Sequence, residues 1–168
     1  MKKSLIAFML ITSMSMAGSQ MKAFEATKIY AMNYDRNTTG LVRHLKVYQN
    51  PKWVSKIKTR AGKDIFFSSP KSMFEFYYQP GKWYDIGVRS ERDFYEIVVT
   101  DYSTAKPIDA EKAFYVYGSS MTSPSGDDLP AFATKSSAEK FAKKFNGKRV
   151  MSFKSVSSAL IGLLNGSI

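Results

Sequence analysis

Phe67-Ser68-Ser69-Pro70-Lys71-Ser72-Met73-Phe74-Glu75-Phe76 and Phe132-Ala133-Thr134-Lys135-Ser136-Ser137-Ala138-Glu139-Lys140-Phe141 carry one pattern twice, 65 positions apart. In each copy a strand ends in phenylalanine, and a Ser or Thr two residues later offers its oxygen to the free N–H groups of a helix start. Met73, Phe76 and Tyr77 then give the first helix an apolar face, as Ala138, Phe141, Ala142 and Phe145 do the second. Pro70 suits the first helical position because it has no N–H to leave unpaired. A supersecondary unit used twice predicts two similar small lobes.

Working outward, each copy gains flanking strands. Ala61-Gly62-Lys63-Asp64 supplies turn chemistry between Trp53–Lys58 and Ile65–Phe67, a hairpin before the first helix. Trp83–Val88 is expected to close that lobe, and Tyr95–Tyr102 reads as a further strand. In the second copy, Ala113–Gly118 and Leu129–Ala133 precede the helix, Asn146-Gly147 stops it, and Val150–Phe153 follows. Upstream, Thr27–Tyr34 and Leu41–Tyr48 read as short strands around a polar turn, Asp35–Gly40. Ser155–Leu164 forms a terminal helix, and Thr104–Glu111 a connection. The order strand, strand, helix, strand, twice, is α+β: two ββαβ lobes packed together, over 27–103 and 104–168.

The first seventeen residues read as an export signal: Lys2 and Lys3, the apolar run Leu5–Ile11, then the cleavage pattern Ser15-Met16-Ala17. That run is shorter than the roughly 20 apolar residues of a membrane span. Residues 18–26 form a flexible leader. The mature chain is expected to be soluble, exported and periplasmic, without a membrane span and without the cysteine of a lipoprotein. It keeps 151 of the 168 residues, enough for one domain or two fused lobes. The chain has no cysteine, so packing alone must stabilise it. Losing Lys2 and Lys3 lowers the formal charge from +11 to +9. Export and the scatter of these charges argue against nucleic acid and for a solvated surface or an acidic partner.

Catalysis has little to work with. His44 is the sole histidine, set in an expected strand, so no serine or threonine has an evident base. Asp127-Asp128 sits beside Pro124 and Gly126, where such residues make turns. Ordinary zinc sites need several Cys or His ligands. Cu(I) is different, because it is soft and accepts thioethers. Of the mature methionines, Met73 and Met151 read as core, while Met32 and Met121 lie at strand–loop positions, one in each lobe.

Asn50-Pro51-Lys52-Trp53-Val54, Gly62-Lys63-Asp64-Ile65-Phe66-Phe67 and Lys71-Ser72-Met73-Phe74-Glu75-Phe76-Tyr77 resemble the first lobe of the NosL family, nitrous oxide reductase accessory proteins. Tyr115-Val116-Tyr117-Gly118-Ser119, Pro124-Ser125-Gly126, Leu129-Pro130-Ala131-Phe132 and Ala138-Glu139-Lys140-Phe141 resemble its second lobe. The resemblance spans roughly Thr27 to Phe153 and implies a non-enzymatic, extracytoplasmic protein of two ββαβ lobes. Its implied cargo is Cu(I), and its implied partners are nitrous oxide reductase and an ABC-type maturation complex. The family's Cys-x-x-Cys-Gly-Met motif corresponds here to Thr27-Lys28-Ile29-Tyr30-Ala31-Met32, and its Pro-Met-Gly to Pro124-Ser125-Gly126. The resemblance therefore makes Met32 the surviving ligand, with Met121 or His44 as replacements and Pro124-Ser125-Gly126 as a binding loop. The alternative is a metal-free adaptor of the same fold that docks an acidic protein partner through a basic, aromatic surface.

Overall fold

A computed structural model describes residues 28–126 and 129–167. The export signal, the whole leader with its Met21, and Asp127-Asp128 lie outside the described residues. Two antiparallel sheets are built from β1 (Ser55–Thr59), β2 (Asp64–Phe67), β3 (Phe94–Thr100), β4 (Pro107–Asp109), β5 (Phe114–Tyr117), β6 (Ala131–Phe132) and β7 (Arg149–Ser152). The helices are α1 (Pro70–Tyr78), α2 (Lys135–Lys144) and α3 (Ser158–Leu164).

The first sheet runs β2-β1-β3-β4 and the second β6-β5-β7. In both, the second strand pairs with the first, a helix follows, and the third strand returns to the first strand's other edge. The fold is thus α+β, as expected. Both helix starts also form as the sequence implies. Ser69 accepts from the Ser72 N–H at 3.2 Å, with Pro70 at the first position, and Thr134 accepts from the Ser137 N–H at 3.1 Å. After α2, Asn146 turns left-handed and the Gly147 N–H donates back to the Ala142 carbonyl at 2.8 Å, closing the helix.

The layers share one core. Ile57, Ile65, Phe67, Ile97 and Val99 from one face of the first sheet meet Met73, Phe74 and Phe76 of α1. Tyr115, Ala131 and Met151 of the second sheet and Ile161 of α3 close it from the other side. Phe74 lies 5.2 Å from Tyr115 and 4.8 Å from Phe153, centroid to centroid. α1 is therefore buried nearly all round rather than along one stripe. The second sheet's opposite face packs Val116 and Phe132 on Ala138 and Phe141 of α2, forming a smaller core. The sheets meet at a corner where the Tyr102 N–H donates to the Ala131 carbonyl at 2.8 Å.

Four expectations are corrected. Residues 28–34 carry no strand although Tyr30, Met32 and Tyr34 alternate; they cross a sheet face instead of pairing at an edge. Leu41–Tyr48 is a tight turn leading to a 3₁₀ turn at Val47–Gln49. Trp83–Val88 is largely 3₁₀, ended by left-handed Gly87, so the strand that completes the first half is β3. Thr104–Glu111 is more than a connection, because β4 pairs there with β3.

Candidate functional site

Phe66, Lys56, Val98 and Asp109 stand side by side across the first sheet, on the face opposite the core. Residues 28–34 run over this face as a strap. At one end Lys28 pairs with Glu96 at 2.8 Å and lies 5.1 Å from the Tyr30 ring. The Tyr30 hydroxyl donates to Asp109 at 2.8 Å; burial, then this bond, push it above the usual tyrosine range. At the other end Tyr34 packs edge-on against Phe66, 6.1 Å between centroids. Met32 lies midway, half-buried like Tyr30 and Tyr34, while Ile29, Ala31 and Asn33 face outward. The strand-like alternation is real, and its cause is a sheet face beneath.

The strap ends in a turn made by Asp35. Its carboxylate accepts from the Asn37 N–H, the Thr38 N–H and the Thr38 hydroxyl, and these bonds, the hydroxyl's first, hold it below the usual carboxylate range. The chain then reaches the outer edge of β2. The Leu41 N–H donates to the Phe66 carbonyl at 2.8 Å, satisfying an edge acceptor that would otherwise stand open. Gly40 permits this approach: a Cβ there would meet the Ser68 nitrogen at 2.9 Å. His44 follows in a left-handed conformation, with its N–H on the Gly40 carbonyl and its side chain exposed.

From the other half comes Pro124-Ser125-Gly126. Ser123 and Gly126 exchange backbone hydrogen bonds of 3.0 and 3.1 Å, a tight turn that Gly126 closes at φ 92°. Its tip touches the start of α1. Ser125 and Ser68 hydroxyls share a hydrogen bond of 3.0 Å, and Lys71 donates to the Ser125 carbonyl at 3.4 Å. Lys71 is only 3% exposed.

Three of the segments singled out by sequence thus converge on Phe66–Ser68. The strap of Met32 arrives through Tyr34, the turn of His44 through Leu41, and the loop through Ser125. Met121, half-buried, packs against the smaller core of Val116, Phe132, Ala138 and Phe141. The contacts at the junction are made by Tyr34, Leu41 and Ser125; Met32 lies two residues before Tyr34 on the strap, and His44 three residues after Leu41 with its side chain exposed. Among the described residues no three His, Cys, Asp or Glu side chains are grouped to hold a metal. Sequence reasoning missed Ser68, Tyr34 and Gly40. Only Tyr34, by its alternation with Met32, left a readable signal.

A sequence model of the NosL family matches residues 31–161, from within the strap, through turn, loop, α1 and α2, into α3. The chain belongs to the NosL family. Its fold is similar to that of the copper chaperone NosL from Shewanella denitrificans, with a TM-score of 0.67 at 22% identity. The superposition covers 79% of this chain and 98% of that one. No curated protein sequence matches. No helix among the described residues is long and apolar enough to cross a membrane.

Proposed function

We propose that this NosL-family protein is a non-enzymatic accessory factor for copper-centre maturation of nitrous oxide reductase. Cu(I) is its cargo, held transiently where strap, turn and loop meet on Phe66–Ser68. Met32 supplies the thioether and His44 an imidazole, donors a soft monovalent copper accepts. Met121 is set aside because it belongs to the smaller core. The observation that carries this reading is the convergence itself: three segments far apart in sequence reach adjacent residues at the end of one strand. A site with few soft donors and no thiolate binds weakly and exchanges readily, which suits a carrier that must hand its ion on. Residues 1–17 would direct the chain to the periplasm, where a maturation complex of the ABC type would receive the ion.

The absence of cysteine favours a second reading, a metal-free adaptor that docks an acidic protein partner. An anaerobic Cu(I) titration of the mature protein against a competing chelator separates the two. Copper carriage predicts one-to-one competition, lost in Met32→Ala, weakened in His44→Ala and unchanged in Met121→Ala. It also predicts tighter binding in Ser125→Met, which restores the family's thioether on the loop. No competition by the wild type, with none gained by Ser125→Met, leaves the adaptor.

A further inference from the structure

α2 turns Ala138 and Phe141 inward, and its outward half-circle is cationic: Lys135, Lys140, Lys143 and Lys144 are all exposed. Lys148 and Arg149 continue the stripe into β7, an edge strand of its sheet. The one carboxylate on this stretch, Glu139, lies 3.5 Å from Lys135 at the helix start. Lys143 and Lys144 occupy the last turn, where they offset the negative end of the helix dipole. The ion pair and the dipole account for three cations and leave Lys140, Lys148 and Arg149 unexplained by stability.

We propose that this α2–β7 face docks the protein on an anionic phospholipid surface. The composition of the face separates lipid from an acidic protein. Protein interfaces concentrate their energy in aromatic and arginine anchors seated in pockets, and they are depleted in lysine. Here lysines outnumber arginine five to one. Among the described residues the exposed large apolar side chains (Ile29, Tyr48, Tyr84, Tyr95 and Leu163) all lie elsewhere. A fluid anionic surface needs neither pocket nor register. Each lysine brought near it strengthens partitioning roughly fivefold, so several acting together give strong but salt-sensitive association. This inference is independent of copper and stands or falls without it.

The test is sedimentation of the mature protein with vesicles of 70% phosphatidylcholine and 30% phosphatidylglycerol at 50 mM NaCl. The protein should partition to these vesicles, not to pure phosphatidylcholine, and should be released at 500 mM NaCl. The triple variant Lys140→Glu/Lys143→Glu/Lys144→Glu should lose partitioning more than tenfold. Lys63→Glu/Lys82→Glu/Lys106→Glu, an equal charge change at exposed positions outside α2 and β7, should keep most of it. Urea midpoints of both variants establish that they are folded. Failure to bind the anionic vesicles, or equal loss in the two triples, overturns the proposal. Binding to soluble poly-glutamate without binding to vesicles also overturns it, in favour of an acidic protein.

Discussion

α1 and α2 begin alike and end in different worlds. Ser69 and Thr134, 65 residues apart, cap their helices through the same bond, yet Ser69 is fully buried and Thr134 exposed. α1 is flanked by both sheets and by α3, and the Pro124–Gly126 loop covers its first turn. α2 has one sheet behind it and solvent in front. The repeated local unit therefore specifies the helices, while their surroundings decide what each does. The covered helix start adjoins the candidate site, and the open helix is free to carry charge.

The comparison is broken most directly at Phe74 and Glu139, which occupy the same position of the repeat. Phe74 is 0% exposed, in contact with Tyr78, Tyr115 and Phe153. Phe74→Ala should cost about 3–5 kcal/mol by urea denaturation, and Glu139→Ala no more than about 0.5 kcal/mol. Similar losses at both positions would mean that α2 is covered too. The caps come next. Ser69→Ala should cost about 2 kcal/mol, because it leaves the Ser72 N–H without that acceptor in a dry environment, and Thr134→Ala about 1 kcal/mol or less. Equal costs would remove the asymmetry.

A third effect is set by pH. Tyr115 is a second-sheet residue buried in the first half's core, with its hydroxyl on the Ala110 carbonyl at 2.7 Å. Burial first, then the charges of Asp109 and Glu111, push it well above the usual tyrosine range. Its contribution is complete below about pH 10, where the unfolded tyrosine is still protonated. Above that pH the unfolded chain ionises first, and stability falls by about 1.4 kcal/mol per pH unit for this group. Denaturation midpoints from pH 9 to 12 should show a shallower alkaline decline in Tyr115→Phe. A further modest effect belongs to Ser125→Ala, which removes the hydroxyl bond to Ser68 and should cost about 1 kcal/mol in the same denaturation assay.

Local chemistry made the helices legible. Ser69-Pro70, Thr134 and Asn146-Gly147 act on hydrogen bonds within a few residues, so a single sequence displays them. Hydrophobic alternation was legible as alternation but not as partner. Tyr30, Met32 and Tyr34 cover a sheet face, which has the same period as strand pairing. At Leu41–Tyr48 and Trp83–Val88 the apolar content was read correctly, and backbone turns at His44 and Gly87 overrode it. The candidate site was half legible. Met32, His44 and Ser125 stand out by residue type, but the approach of their segments to Phe66–Ser68 runs through Tyr34, Leu41, Gly40 and Ser68, of which the last three are ordinary in sequence. Met121 stood out equally, and its packing against the smaller core left no signal in the sequence.

The most direct test of where the functional junction lies is NMR of the mature protein labelled with [¹³C-methyl]methionine, titrated anaerobically with Cu(I). The expected result is a shift of the Met32 methyl resonance, with Met73, Met121 and Met151 unmoved. A shift of Met121 with Met32 unchanged, or no shift in any methionine, would contradict the site at the end of β2.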